Sequence, residues 1–193
     1  MNFGYFAILS AVLLQASVSI FETDMSPGEG HPVFAASSNE LPLRQLPSAS
    51  SPIVGIAKVL PGQRLPYDET QYRTTRAGRI SVLMPYYING RMIGPVARLS
   101  AKDYSLNKFA QVRIEVRPGT NIEYLQYRAE GTCFVRIGSN VIDAEPCPTI
   151  EKSVFTVESE ASTELWLHVA IGNSSGWLLV DGRSAKEVGR TSQ

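Results

Sequence analysis

The sequence has no excess of charge of either sign: 18 Lys and Arg residues balance 18 Asp and Glu residues. Proteins that bind nucleic acid usually carry a basic excess, so nucleic acid is excluded as the expected partner. Cysteine and histidine are also scarce, with two of each, and neither histidine has the spacing from the cysteines that a zinc site needs. We therefore expect no metal and no cofactor.

The chain also lacks the glycine patterns that bind phosphates and dinucleotides. His168 could act as a general base only beside a nucleophile and an orienting acid, and no motif marks either. Adjacent acidic residues such as Asp68-Glu69 could serve glycoside hydrolysis, but on loops such residues are usually just solvated. We predict that the protein is not an enzyme.

The N-terminal segment has no charged side chain before Glu22 and is almost continuously apolar from Phe3 to Phe21. The small residues Ser17 and Ser19 fit a signal-peptide cleavage site before residue 20. The apolar run is also just long enough to span a bilayer as an uncleaved anchor, and a buried N-terminal helix is the third alternative. We predict a signal peptide or membrane anchor over residues 1–19 and a periplasmic or secreted protein.

The two cysteines support export. Cys133 and Cys147 flank two apolar segments that meet at Gly138-Ser139-Asn140, and each cysteine is seven residues from Asn140. A hairpin centred on Asn140 would place them opposite each other, so a cross-strand disulfide is expected in an oxidising compartment. Two unpaired, buried thiols are the alternative.

The composition divides the rest of the chain into three regions. Residues 20–52 are rich in Ser, Pro, Gly and acidic residues without an apolar period, which is typical of a flexible linker. Residues 53–108 contain short strand candidates and form an additional N-terminal β region. Residues 109–193 alternate strands and turns throughout. We expect a mainly β protein with a disordered tether before its folded part.

Two local signals stand out within residues 53–108. Asn89-Gly90, flanked by apolar residues, is the strongest short hairpin signal in the chain. The segment from Leu99 to Leu106 contains the only plausible helical turn, with Ser100 as its cap and Asp103 three residues later.

Both tryptophans lie on one predicted hairpin near the C-terminus. From Leu165 to Ile171, aliphatic residues alternate with Trp166, His168 and an alanine, a period of two that is typical of a strand. Residues 172–176 have the composition of a five-residue hairpin loop. The aliphatic residues are expected to face the core. Trp166 and His168 then face the other side and are better candidates for exposure than Trp177.

The same hairpin resembles bacterial Src-homology-three-like domains. Those modules commonly show Trp-x-x-Val, a Gly-containing turn and Gly-Trp-Val, and the chain has Trp166-Leu167-His168-Val169 and Gly176-Trp177-Leu178. Residues 112–119 are similar to the strand and Arg-x-Gly-Pro loop that opens such domains, with Pro and Gly reversed. The likeness covers about residues 112–188. It implies a small barrel of short antiparallel strands over residues 109–193, and exported members commonly dock onto cell-wall polymers or protein partners.

Tyrosine and arginine residues concentrate between positions 67 and 91. Such residues could bind an anionic glycan or an acidic partner surface, with the tyrosine rings stacking on it and the arginines making bidentate contacts. The alternative is a solvated loop with its tyrosines lying flat on the barrel. Together with the tryptophan hairpin, the predicted ligand- or partner-binding residues are Trp166, His168, Tyr67, Tyr72, Arg73, Arg76, Tyr86 and Tyr87.

These features predict a non-catalytic exported binding module that recognises a cell-wall polymer or a protein partner. Contact with a membrane is expected only through an uncleaved N-terminal anchor. The alternative is an inhibitor or immunity protein that blocks a secreted hydrolase with a loop such as Tyr67–Arg76.

Overall fold

The computed structural model describes residues 20–191, so the predicted signal peptide or anchor over residues 1–19 lies outside the described residues. Short strands dominate, with one helix of six residues. No helix in the described part is long and apolar enough to cross a membrane. The elements are β1 Phe21–Thr23, β2 His31–Ala36, β3 Glu40–Arg44, β4 Ile53–Lys58, β5 Tyr67–Arg76, β6 Gly78–Val82, β7 Tyr86–Gly94, β8 Arg98–Leu99, α1 Ala101–Leu106, β9 Gln111–Val116, β10 Ile122–Tyr127, β11 Cys133–Ile137, β12 Asn140–Ala144, β13 Phe155–Ser159, β14 Ser162–Ile171, β15 Ser174–Leu179 and β16 Ala185–Thr191.

The strands form two seven-stranded sheets and a two-stranded ribbon. The first sheet has the order β4-β3-β15-β14-β5-β1-β8, the second β13-β6-β10-β11-β12-β7-β9, and the ribbon pairs β16 with β2. Within the described residues the strand pairs are antiparallel except β1 with β8. The prediction of a mainly β protein is confirmed, but neither sheet closes into a barrel.

Strands from both sides of residue 108 pair within each sheet. In the first sheet β5 lies beside β14, and in the second β7 lies between β12 and β9. The described strands of residues 109–191 therefore form no separate closed barrel, because they are shared between the two sheets and the ribbon.

Residues 20–52, predicted as a flexible linker, carry three strands of the fold. Here β1 pairs with β5 and β8, β2 with β16, and β3 with β4 and β15. Phe21, Phe34, Leu41 and Leu43 in these strands are fully buried. The linker prediction is wrong because isolated apolar residues among Pro, Gly and Ser show no local period. Their burial depends on partners far away in the sequence.

The core of the first sheet lies between one of its faces and the ribbon. As predicted, the aliphatic stripe of β14 faces this core: Leu167 and Val169 are fully buried, and Leu165 and Ile171 are partly buried against the same cluster. Phe34 of the ribbon belongs to that cluster. The ribbon therefore protects a sheet face that would otherwise be exposed to water.

The second sheet curls around its own core. Its strands β7 and β13 lie five places apart in the sheet order, yet the rings of Tyr86 and Phe155 meet edge to face with centroids 5.4 Å apart. The opposite face of the second sheet packs against the first sheet. There the ring centroid of Phe134, on β11, lies 5.2 Å from that of Phe21, on β1. A shared apolar cluster thus joins the two sheets.

The predicted disulfide is confirmed. Cys133 and Cys147 are bonded to each other and both are buried. The register differs from the prediction: Ile137 pairs with Asn140, so the loop is Gly138-Ser139 and Cys133 lies opposite Ala144. The disulfide therefore ties the start of β11 to the loop after β12 rather than to a facing strand position.

The tryptophan hairpin is tighter than its composition predicts. Ile171 pairs with Ser174, so the loop contains only Gly172 and Asn173, and residues 174–176 belong to β15. Gly172 supplies the positive φ of 60° that two-residue hairpin loops favour.

The Asn89-Gly90 pair forms no turn, and β7 runs straight through it. The strand is held on both sides, by β9 and by β12. A side chain at Gly90 would bring its Cβ to 2.3 Å from the carbonyl oxygen of Asp143, so glycine here permits close strand approach instead of a turn.

The predicted helical turn is confirmed. Helix α1 begins after Ser100, whose Oγ accepts a hydrogen bond of 3.0 Å from the backbone N–H of Asp103. The helix places Tyr104 against the face of the second sheet that carries Asp143. Local capping chemistry therefore fixes the start of the helix, and the helix in turn positions a polar side chain.

Candidate functional site

An open cleft of about 890 Å³ lies where the ribbon, the first sheet and a turn of the second sheet meet. Its walls come from residues 24–26 and 28–32, from Tyr67 and Thr70 on β5, from Ala101, from residues 128–130 between β10 and β11, and from residues 190–191. Polymer- and ligand-binding sites are commonly concave surfaces built from several chain segments. We call this surface the cleft.

Hydrogen bonds hold the wall formed by residues 24–32 in place. The hydroxyl of Tyr67 donates to the carbonyl oxygen of Pro32 at 2.6 Å, and Thr70 Oγ1 donates to that of Asp24 at 3.1 Å. The backbone N–H of Ala101 donates to the carboxylate of Asp24 at 2.5 Å. The cleft is therefore shaped in advance and needs no large rearrangement to admit a ligand.

Two arginines give the cleft positive charge. The guanidinium of Arg190 lies 2.8 Å from Glu187 and donates to the carbonyl oxygen of Glu29 at 3.2 Å. Arg128 has 27% of its side chain exposed and Arg190 has 28%. Together with the acidic residues Asp24, Glu29 and Glu130, they make the lining mixed in charge. Such a lining suits a polar ligand rich in hydrogen-bonding groups more than a strongly charged one.

Arg128 is positioned by a polar group buried behind the cleft. The Nε atom of Arg128 lies 3.2 Å from Oδ1 of Asp143, so the two side chains form an ion pair. The N–H of Arg128 is not well aligned with this oxygen for a hydrogen bond. The hydroxyl of Tyr104 donates to the other oxygen of Asp143, and Arg91 donates to Tyr104 at 2.8 Å. Burial raises the pKa of Tyr104, and the hydrogen bond to Asp143 raises it further, so Tyr104 stays a neutral donor at physiological pH.

Glu130 at the rim of the cleft has an unusual backbone conformation. It has φ of +49° and is the one non-glycine residue with positive φ in the described part of the chain. Gly131 follows with φ of +74°, and Thr132 N–H donates to Ala129 O at 2.8 Å, as in a type I′ turn. That turn favours Asn, Asp or Gly where Glu130 stands, and a left-handed glutamate costs about 1 kcal/mol. Such strain concentrates at functional sites.

The structure disperses the predicted tyrosine and arginine residues of β5. Tyr67 lines the cleft. Tyr72 is buried and donates to Ser26 Oγ at 3.2 Å. Arg73 is buried too, 3.1 Å from Glu22 and 3.6 Å from Glu164, so it has a structural role and is not available to a ligand. Arg76 is exposed at the end of the strand.

The two predicted binding residues of β7 belong to the other sheet. Tyr86 packs inside the second sheet against Phe155. Tyr87 is exposed, with the guanidinium of Arg113 stacked 4.1 Å from its ring centre. The aromatic and basic residues that are close in sequence therefore form no single surface, because β5 and β7 lie in different sheets.

The prediction that Trp166 is exposed is wrong: its side chain is fully buried, and its indole N–H donates to Glu164 at 3.0 Å. On this face of the first sheet Arg73 donates a hydrogen bond to the carbonyl oxygen of Pro47, in the loop between β3 and β4. Trp177, on the same face, is only half-buried. The alternation of residues along β14 identified the face correctly but could not show that Trp166 is buried there.

His168 remains partly accessible on this outer face of the first sheet. Its imidazole is 29% exposed, and its Nδ1 lies 2.7 Å from the carboxylate of Asp68. The outer face is separated from the cleft by the sheet itself, because Tyr67 and Asp68 are neighbours on β5 and point to opposite sides.

Comparison with known proteins gives no relative: no family model, curated protein or solved structure matches this chain. Among the described residues, no group of three or more His, Cys, Asp or Glu side chains is arranged to hold a metal ion.

The cleft residues that sequence reasoning missed are Arg128, Glu130, Arg190 and the segment 24–32. One signal for them was present: Gly28-Glu29-Gly30 supplies two residues with positive φ, 87° and 73°. The composition of this segment was interpreted as that of a linker, although the same residues also suit a tight, ordered turn.

Proposed function

We propose that the protein is a binding protein of an extracytoplasmic compartment, whose cleft recognises a cell-wall polymer or a protein partner without catalysing a reaction there. The observation that carries this proposal is the cleft, which is open, pre-shaped and lined by both signs of charge. The buried Cys133–Cys147 disulfide is compatible with an oxidising compartment and supports the location.

The chemistry of the lining favours a polymer rich in hydroxyl and amide groups. Arg128 and Arg190 offer charged donors, Asp24 and Glu130 offer acceptors, and Tyr67 adds an aromatic ring. Because the cleft is open to solvent and has a volume of about 890 Å³, it has room for a segment of a polymer chain.

An inhibitor or immunity protein is the second candidate, but the structure removes its proposed inhibitory loop. Residues Tyr67–Arg76 form β5, which lies between β14 and β1 in the interior of the first sheet. A blocking segment must project from the surface, so a protein partner would have to use the cleft rim instead.

Sedimentation of the full-length protein with purified cell wall, beside a pull-down from periplasmic extract, tests the proposal. Arg190→Gln removes a charged donor from the cleft. Binding should weaken about tenfold, which is the effect expected from the loss of one charge-assisted hydrogen bond. Arg183→Gln is the matched control, because Arg183 is exposed outside the cleft. The proposal fails if the protein binds neither preparation, or if both variants weaken binding equally.

The strained turn offers an independent test. Glu130→Gly relieves the left-handed conformation and should stabilise the fold by about 0.5–1 kcal/mol. It also removes a carboxylate from the rim, so binding should weaken while the melting temperature rises. If Glu130→Gly raises stability and leaves binding unchanged, Glu130 is not a binding residue.

A further inference from the structure

Three polar side chains from different strands meet on the outer face of the first sheet. His168 on β14 lies between Asp68 on β5 and Ser175 on β15. Its Nδ1 is 2.7 Å from Asp68 Oδ1, and its Nε2 is 3.4 Å from Ser175 Oγ. A carboxylate, an imidazole and a hydroxyl joined in this way form the arrangement that activates a serine nucleophile. Such an arrangement is recognised by its geometry, because the order of the three residues in the sequence varies.

The sheet register explains how Asp68 reaches the histidine. His168 lies opposite Glu69 and Val169 lies opposite Tyr67, so Asp68 is the extra residue of a β-bulge. Bulges redirect a side chain out of the regular alternation. Asp68 thereby points to the outer face beside His168.

Ser175 reaches the other side of the imidazole through the tight tryptophan hairpin. It lies opposite Ala170, two positions along β15 from Trp177, which faces His168. Ser175 and His168 are therefore diagonal neighbours on one face of the sheet. The ring of Trp177 meets that of His168 with centroids 5.3 Å apart, which restricts rotation of the imidazole.

The hydrogen bonds determine which nitrogen is free. The hydrogen bond from His168 lowers the pKa of Asp68, so the carboxylate is ionised and can only accept. His168 Nδ1 therefore carries the proton, and in the neutral ring Nε2 presents its lone pair to the hydroxyl of Ser175. This is the tautomer that a general base requires.

We propose that Ser175 is an activated nucleophile that accepts the acyl group of activated carboxylic esters, with His168 as its general base and Asp68 as the positioning residue. The site is independent of the cleft, which lies on the other side of the first sheet. Either proposal can therefore fail without the other.

The reaction uses only groups at the site and water. Ser175 Oγ forms a bond to the ester carbonyl carbon while its proton moves to His168 Nε2. The ester C–O bond then breaks, and the proton passes from His168 to the departing alcohol oxygen. Water then attacks the acyl carbon while its proton moves to His168 Nε2. The bond between the acyl carbon and Ser175 Oγ breaks, the carboxylic acid leaves, and the proton returns from His168 to Ser175 Oγ.

Treatment of the full-length protein with a fluorophosphonate, followed by intact mass measurement and peptide mapping, tests this proposal. One adduct on Ser175 is expected, together with release of p-nitrophenol from p-nitrophenyl acetate. Ser175→Ala should abolish both. Ser174→Ala is the matched control, because the neighbouring serine faces the other side of β15, beside Gly55, and should react as the wild type does.

Two variants separate positioning by Asp68 from a merely structural role. Asp68→Asn should slow labelling at least about tenfold, because the amide can no longer hold the required tautomer. Asp68→Glu keeps a carboxylate and should recover part of the rate. The proposal is overturned if Ser175 gains no adduct, if Ser174→Ala loses as much reactivity as Ser175→Ala, or if Asp68→Asn labels at the wild-type rate while circular dichroism shows an intact fold.

Discussion

The guanidinium of Arg128 and the carboxylate of Asp143 lie 3.2 Å apart and connect the rim of the cleft to the buried face of the second sheet. Asp143 is almost completely buried, whereas Arg128 is partly exposed. The pair therefore links the rim of the cleft to the packing of helix α1 through Tyr104, which donates to the same carboxylate.

We expect Asp143→Ala to destabilise the protein by roughly 3 kcal/mol, because it leaves Tyr104 and Arg128 without their shared acceptor. Urea denaturation measures the change. Glu145→Ala, at an exposed position in the loop after β12, is the control and should change stability by less than about 0.5 kcal/mol. Equal effects of the two variants would show that the ion pair contributes nothing specific.

Trp166→Ala should destabilise the fold by about 3–5 kcal/mol, because removing a fully buried indole leaves a cavity. Leu167→Ala on the neighbouring core face should cost about 2–5 kcal/mol. Trp177→Ala is the comparison at a half-buried position and should cost less than either. Thermal melting curves of the three variants measure these losses of stability. A Trp166→Ala protein as stable as the wild type would contradict the conclusion that Trp166 is buried.

Replacing both cysteines, as Cys133→Ala with Cys147→Ala, should cost roughly 3 kcal/mol in the chain-entropy model for a loop of this length. Mass spectrometry of non-reduced peptides from exported material should show the two cysteines in one linked species. Two free thiols there would contradict the pairing.

Stability should fall as the pH rises above 10. Burial raises the pKa of Tyr124 to about 12, above the 10.0 of an unburied tyrosine. Between these values the unfolded chain loses the tyrosine proton while the folded chain keeps it, so the unfolded state binds fewer protons and stability decreases with pH. Urea denaturation at pH 9 and pH 11 measures the slope. Tyr124→Phe should show a smaller decrease than the wild type, and an identical decrease would exclude Tyr124 as a source.

Local features of the sequence predict several elements correctly. The alternation from Leu165 to Ile171 identifies a strand and its core face, and Ser100 with Asp103 identifies the start of the only helix in the described residues. The two cysteines identify the disulfide. In each case the determining interactions lie within a few residues or within one hairpin, so neighbouring side chains contain the information.

Other features depend on which distant strands become neighbours, and only the tertiary structure decides them. Asn89-Gly90 favours a turn locally, but pairing on both sides by β9 and β12 holds it in a strand. Trp166 lies on the face that the alternation predicts to be exposed, yet its side chain is fully buried. Asp68 and Ser175 are far apart in the sequence and meet at His168 through one bulge and one tight loop. Sheet register is set by long-range pairing, and shifting it by a single residue reverses the face on which every side chain lies.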